Sequence, residues 1–348
     1  MSAGESHSAA RCARGSVIAL ALRRRRGAPV SAEELAARLG LEPGDVCRAI
    51  EDLSERGFRV VAHPIQGYRL VEVPAALDAD EIGADLGVRR VGRRVRCVEA
   101  VTSTNDVAWE AIESRAVEAD GLAVFAEYQT AGRGRRGNRW LAPPHEAILC
   151  SVALVGAEAA LKAALLTRAA AVAAAEAVEM ETEFARPRSV GIKWPNDVVV
   201  DGRKVGGILV EARPPGPAGP SVVIGIGLNC SQRDQAFPRA IRPRVASLAM
   251  MDGALDRTLL ARRLLERLDR GIALTDSPEG AEEICRKAAR RCSTLGCRIT
   301  VAEGEATFTG DVIGLDPDYG LVLRLTNGAI RRFAAMTTSV VATGGRGG

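Results

Sequence analysis

The first 73 residues carry a helical pattern of apolar positions that then changes to a strand-like one. An apolar segment at 17–22 ends in four arginines, Arg23 to Arg26, and Gly27. Ser31-Ala-Glu-Glu34 is a capping-box start, with Ser31 capping and Glu34 reaching back. Leu35 and Leu39 follow at i, i+4, and Gly40 suits the helix exit. Pro43 fits the first position of a third helix carrying Val46, Ile50 and Leu53 on one face, closed by Gly57. Residues 58–61 and 68–71 then read as short strands around His63-Pro-Ile-Gln-Gly67. Three helices, a tight turn between the second and third, and a hairpin make the pattern of a winged helix-turn-helix. DNA binding is its expected use, with the arginine run against phosphates. A structural or dimerising module has the same pattern, and the outward Asp45 and Arg48 offer little base-reading chemistry.

Residues 90–275 alternate between strand-like and helix-like runs. Strands are expected at 95–99, 122–127, 147–154, 190–194, 205–211 and 222–227, and helices at 157–180 (alanine-rich) and 256–268. Gly216 and the prolines at 214, 215, 217 and 220 mark a mobile connection between two strands. This is an α+β pattern with a mixed sheet. Residues 293–343 read as short strands with turns. Asp316-Pro-Asp-Tyr-Gly320 is one turn, and Asn327-Gly328 between alternating runs is a strong hairpin signal. They predict a small barrel, with fraying from Gly344 onward. The expected division is 1–73, 74–290 and 291–343.

Composition narrows the function classes. A chain of 348 residues accommodates two or three domains. Aromatics are only 3%, which argues against a stacking surface for single-stranded nucleic acid. With 47 basic against 43 acidic residues, the net +4 confines any nucleic-acid contact to one domain. The eight cysteines form no C-x-x-C and only three histidines are present, so no metal site is expected. Cys285, Cys292 and Cys297 read as structural thiols, and free thiols suit a reducing cytoplasm. The apolar run at 17–22 is too short for a signal peptide or a membrane span, so a soluble cytoplasmic protein is expected.

The densest chemical signal is Glu127-Tyr-Gln-Thr-Ala-Gly-Arg-Gly-Arg-Arg-Gly-Asn-Arg-Trp140. Its glycines let the backbone approach a ligand, and its arginines can clamp phosphate or carboxylate oxygens. The spacing is neither a P-loop nor a dinucleotide fingerprint, and an RNA-contacting surface has the same composition. Lys193-Trp-Pro-Asn-Asp197 places an ammonium just before a turn, as a functional lysine or a salt-bridged one. In Arg203-Lys-Val-Gly-Gly-Ile-Leu-Val-Glu211 the paired glycines suggest a ligand against the backbone. Gly225-Ile-Gly-Leu-Asn229 suits a sheet corner or a pocket wall, and Ser103-Thr-Asn105 an N-cap.

Taken together and in this order, GRGRRG, KWPND, GGILVE and IGIGLN resemble the motifs of biotin protein ligases. The resemblance is to the long bacterial type with an N-terminal winged helix, and it spans residues 15–340. It implies a central domain related to class II aminoacyl-tRNA synthetases, with an SH3-like barrel behind it. The implied reaction joins biotin to ATP as biotinyl-5′-AMP, with Mg2+, and transfers the biotinyl group to a lysine of the biotin carboxyl carrier protein. Biotin contacts would come from Ser103, Thr104, Asn105, Gln129, Arg133, Gly134, Arg135, Lys193, Gly206 and Gly207. Arg135, Arg136, Trp140, Lys193, Asn196 and Asn229 would hold the nucleotide. Lys193 and Arg135 would be the catalytic pair, and residues 213–220 a second loop that orders around the adenylate. A homodimer acting as a biotin-responsive repressor on operator DNA is implied as well. A lipoate ligase and a biotin sensor without ligase activity are the alternatives; Trp194-Pro195 in the lysine motif and the N-terminal module favour biotin. The chain departs from the family pattern at Asp45-Val-Cys-Arg48, where the family often has a more basic, Ser-initiated recognition helix and here Glu42 precedes Pro43, and at Arg332-Phe-Ala-Ala-Met336, where the family often has Gly-Gly-Glu.

Overall fold

The computed structural model describes residues 3–156, 162–216, 219–316, 320–335 and 337–346. Its N-terminal part is α1 (Ala3–Arg24), α2 (Ala32–Leu39), α3 (Pro43–Glu55) and a ribbon of β1 (Arg59–His63) with β2 (Gly67–Glu72). The caps form where expected, although the Glu34 carboxylate accepts from Arg25 at 3.3 Å, which the capping box did not anticipate. Ser31 Oγ accepts from the Glu34 N–H at 3.1 Å, and Gly40 closes α2 in the left-handed region at φ 64°. Ile18, Leu22, Leu35, Val46, Leu53 and Phe58 form a core of their own. Gly67 is required: at φ 81° a Cβ there would lie 2.3 Å from the Val30 carbonyl, where the ribbon bridges back to the helices.

One member of the arginine run is withdrawn from the surface on which phosphate contacts were expected. Arg23 is buried, with Nε 2.8 Å from Glu81 Oε2 and Nη1 2.6 Å from Asp256 Oδ2. Glu81 belongs to α4 (Ala79–Gly83), and Asp256 caps α7 (Arg257–Leu274). Arg25 pairs with Glu34, and Arg26 with Glu183. Buried charge must be matched by opposite charge, so Arg23 fastens α1 to the rest of the molecule, while Arg24 and Arg26 are exposed and Arg25 is half-buried.

The central sheet has seven strands in the order β3-β4-β5-β10-β9-β8-β7. They are β3 (Arg94–Val101), β4 (Leu122–Gln129), β5 (Ala147–Val155), β7 (Val190–Lys193), β8 (Asp197–Val200), β9 (Arg203–Gly216) and β10 (Gly219–Asn229). Only β3 and β4 are parallel, so the sheet is mixed. The alanine-rich helix α6 (Ala163–Glu181) packs with α7 on one face; residues 157–161 of the expected helix lie outside the described residues. Small alanine side chains let α6 sit close to the sheet, and Ala169 to Ala175 are all buried. Helix α5 (Thr104–Ala119) covers part of the opposite face through Ala108, Trp109 and Ile112. The expected loose connection at 213–220 is shorter than anticipated: β9 and β10 run into it and Gly216 pairs with Gly219, residues 217–218 lying outside the described residues. Strand β8, α4, α8 (Pro278–Arg291) and the ribbon of β6 (Glu183–Phe184) with β11 (Gly253–Ala254) were not expected from the sequence.

The C-terminal strands are β12 (Cys297–Glu303), β13 (Ala306–Leu315), β14 (Leu321–Leu325), β15 (Ile330–Phe333) and β16 (Thr338–Arg346). They pair in the order β15-β14-β13-β12-β16, an open antiparallel ladder among the described residues. Asn327-Gly328 makes the expected hairpin, with Gly328 at φ 86°. The turn after Asp316 includes residues 317–319, outside the described residues, as is Met336. The backbone from Gly344 does not fray as expected, since β16 continues to Arg346, opposite Cys297. Trp194 joins the core of this sheet with Ile299, Val301 and Phe333. That insertion ties the lysine motif to the C-terminal sheet. The described cysteines are free thiols, and no helix among the described residues is long and apolar enough to cross a membrane.

Candidate active site

Strand alternation decides which face carries the site. Ile208 and Val210 of β9, with Ile224, Ile226 and Leu228 of β10, point into the core beneath α6 and α7. Gly207, Leu209, Gly225 and Gly227 face the other way, where α5 leaves part of the sheet uncovered. A cavity of about 280 Å3 lies there, roofed by the arginine loop and reaching Ser339 of β16. Of the fourteen residues expected from the sequence, twelve line it: Ser103, Thr104, Asn105, Gln129, Arg133, Gly134, Arg135, Arg136, Trp140, Lys193, Asn196 and Gly207.

Gly206 and Asn229 do not. A Cβ on Gly206 would lie 2.5 Å from Leu228 Cδ2, so this glycine serves strand packing on the core face. Asn229 ends β10 beneath a returning segment: its Nδ2 donates to the Ala246 carbonyl at 3.1 Å, and Gln232 Nε2 donates to its Oδ1. Both were expected to touch ligand. The face of one and the burial of the other keep both out of the cavity lining.

One end of the cavity is a hydrogen-bonded set of neutral groups. Gln129 Oε1 accepts from the Thr104 N–H at 2.7 Å and from its hydroxyl at 3.1 Å. Ser151 Oγ donates to Asn105 Oδ1 at 2.5 Å, and Asn105 Nδ2 donates to Glu211 Oε2 at 3.0 Å. Ser103 caps α5, accepting from the Asn105 N–H. Arg133 is held away from a free anion-binding posture by Asp106 at 2.7 Å and Glu211 at 3.3 Å. The hydrogen bond from Arg133 holds the Asp106 carboxyl below its usual range. Burial by itself would raise the Glu211 carboxyl, but the bonds from Asn105, Arg133 and Trp109 outweigh it and the net direction is down.

The other end is cationic. The loop after β4 folds on itself through the Gly134 N–H to the Asn138 carbonyl and the Trp140 N–H to the Gly132 carbonyl, with Arg136 at φ 57°. Arg135 reaches the Ala335 carbonyl and lies 3.5 Å from Asn196 Oδ1, so this loop touches the C-terminal sheet. Lys204 pairs with Asp197 at 2.6 Å. Lys193 lies between buried Ile192 and buried Trp194, and its ammonium has no hydrogen bond or ion pair among the described residues. Between the two ends lies a glycine floor on which the Trp140 indole rests, its ring 2.5 Å from where a Cβ on Gly227 would stand. No cluster of metal-ligating side chains occurs among the described residues.

Ser151, Glu211, Lys204, Asn138, Arg139 and Thr338 are also at the site or tied to it, and were not assigned from the sequence. Ser151 had a signal, being the polar residue in the run Ala147 to Val155, and Glu211 ended a noted motif. Thr338 comes from a strand remote in sequence; it is fully buried with a hydroxyl that has no partner among the described residues.

Residues 97–229, which hold nearly all of this site, match the model of the biotin/lipoate A/B protein ligase family. The chain is 30% identical over 304 residues to the bifunctional ligase/repressor BirA of Bacillus subtilis, covering 87% of this chain and 91% of that one. It is 33% identical over 239 residues to a biotin–[acetyl-CoA-carboxylase] ligase of Mycobacterium tuberculosis, covering 68% and 82%. Among solved structures it is similar to the biotin protein ligase of Aquifex aeolicus in complex with biotin and ATP, with a TM-score of 0.58, 25% identity, and coverage of 71% and 97%. A site assembled from the ordered motifs, and relatives aligned over nearly their whole length, lead to one assignment: the chain belongs to the biotin protein ligase family.

Proposed function

We propose that the protein activates biotin as biotinyl-5′-AMP and transfers it to a lysine of a biotin carboxyl carrier protein. The observation that carries this reading is the polarity of the cavity. A neutral substrate head with donors and acceptors suits the Thr104–Asn105–Gln129–Ser151 end, and a carboxylate tail with a triphosphate suits the Lys193–Arg135–Arg136 end. The biotin carboxylate oxygen attacks the α-phosphorus and pyrophosphate leaves. The acceptor amine then attacks the acyl carbon, AMP leaves, and the amine gives up a proton. Neither step needs an enzyme nucleophile; both need developing negative charge to be neutralised. Trp140 and Asn196 are assigned to the nucleotide end and Gly207 to the floor beneath the ligand. Asp197 is engaged by Lys204, so the donor set among the described residues does not fit a resident cation. Mg2+ is therefore read as part of the magnesium–ATP substrate. The test is incubation with magnesium–ATP and either biotin or lipoate, scoring pyrophosphate release and transfer to each carrier domain. Biotin should be used, and equal rates with lipoate under matched conditions would overturn the substrate assignment.

A second activity rests on the N-terminal part, whose three helices and ribbon support a winged-helix reading for residues 1–73. Residues 74–290 are then the catalytic part, related to class II aminoacyl-tRNA synthetases, and residues 291–343 the SH3-like one. Relatives of this length carry the name ligase/repressor, and we assign this chain a repressor role as an adenylate-promoted homodimer. The acidic residue on α3 is less unfavourable to DNA than its sequence suggests, because Asp45 is paired with Arg48 at 2.6 Å and with Arg14 at 3.4 Å. A mobility shift on promoters of biotin synthesis and uptake genes should strengthen when biotin and ATP are both present. No shift at low salt, with ligase activity intact, would leave the module structural.

A further inference from the structure

Glu211 ends the GGILVE motif on β9, yet it is not among the residues that line the cavity. It is the junction of three separate segments behind the cavity's neutral end. Its Oε2 accepts from Asn105 Nδ2 at 3.0 Å and from Trp109 Nε1 at 3.2 Å, both on α5. Its Oε1 accepts from Arg133 Nε at 3.3 Å, on the arginine loop. Only an acceptor-only group satisfies three donors at once, which is the property of an ionised carboxylate. The consequence falls on Asn105. Because Glu211 takes its amide nitrogen, the amide oxygen is turned to Ser151, and an Asn105 flip would set Oδ1 against a carboxylate that can only accept. The site has no slack for a different arrangement, since Asn105 Oδ1 already lies 2.6 Å from where a Cβ on Gly225 would be.

We infer that Glu211 is a positioning residue for the substrate's neutral head. It fixes the orientation of the Asn105 amide and pins Arg133, and it acts on ligand only through them. This rests on the biotin reading above. The single Arg133 charge lies between two carboxylates, Asp106 and Glu211, so this corner carries no surplus positive charge and disfavours a substrate carboxylate. Glu211 thereby also sets which way round the substrate enters.

The test uses the full chain and Glu211→Gln, an isosteric change that replaces one acceptor oxygen with a donor. A buried hydrogen bond to a charged group is worth roughly a tenfold or greater change in affinity. The KM for biotin in pyrophosphate release should rise at least about tenfold, with the KM for ATP within about twofold and kcat within about threefold. Added to Asn105→Ala/Arg133→Ala, which removes both residues through which it acts, Glu211→Gln should raise the biotin KM no further, because a residue acting through others adds nothing once they are gone. An unchanged biotin KM, additive losses, or a fall in kcat matching the rise in KM would each overturn the inference. If Glu211→Gln does not fold, Glu211→Asp keeps the charge but shortens the reach, and the same KM split is expected of it. A wild-type enzyme inactive with biotin would instead remove the biotin reading. In that case the Trp109 indole N–H resonance decides the positioning role: it should move in Glu211→Gln, and its staying put would overturn the role independently of the substrate.

Discussion

Lys193→Ala should slow biotinyl-adenylate formation by two to three decades while leaving biotin affinity much less affected. A preorganised cation at the point where charge develops contributes about 3–4 kcal/mol to the transition state. Preorganisation is visible on both sides of the residue. Ile192 is buried in the central core, its carbonyl accepting from the Ser293 N–H at 2.9 Å. Trp194 is buried in the C-terminal core, its N–H donating to Thr294 Oγ1 at 3.1 Å. The backbone of Lys193 is thus clamped between two cores, and its ammonium is not spent on a carboxylate within the described residues. Nearby Lys204 is spent on Asp197, so it is a poor substitute. Single-turnover adenylate formation, measured beside equilibrium biotin binding, separates the two effects. A rate within about threefold of wild type would return Lys193 to a structural role.

Gly225→Ala should cost about a hundredfold in biotin affinity, from one added methyl group. The glycine has an ordinary backbone conformation, so alanine meets no dihedral penalty and the effect is steric. Its Cβ would lie 2.6 Å from Asn105 Oδ1, and Asn105 is held from Ser151 on one side and Glu211 on the other. Moving the amide breaks a neutral hydrogen bond worth about 1 kcal/mol and one to a carboxylate worth about 2 kcal/mol. Overpacking adds about 1–3 kcal/mol of lost stability. Calorimetric titration with biotin and a thermal melt would measure both, and wild-type biotin affinity in Gly225→Ala would refute the placement of Asn105 at the substrate's head. Gly202, whose Cβ would meet nothing within 4 Å, contrasts with it in mechanism: at φ 80° a substitution there strains the backbone and should leave biotin affinity alone.

What could be read before folding is what depends on neighbours in the chain. Ser31, Gly40, Pro43 and Ser103 begin or end helices through contacts within a few residues, so their roles followed from local pattern. The strands of the central sheet followed from runs of apolar residues, and the chemical character of the arginine loop and the lysine motif from residue types that few other purposes require. The short strand β8 was missed because Asp197 to Val200 is too brief to separate from the turn before it. What depended on the third dimension was the selection of faces and partners. Gly206 and Gly207 are adjacent and chemically identical, and only the register of β9 against β10 sends one to the core and the other to the cavity floor. Arg23 looked like its three neighbours until folding brought Glu81 and Asp256 to it from 58 and 233 residues away. Ser151, Glu211 and Thr338 meet the site from three distant strands. A side chain's character is a property of its residue, but its partners are set by packing, because burial makes an unmatched charge or amide too costly to leave and so fixes who must face whom.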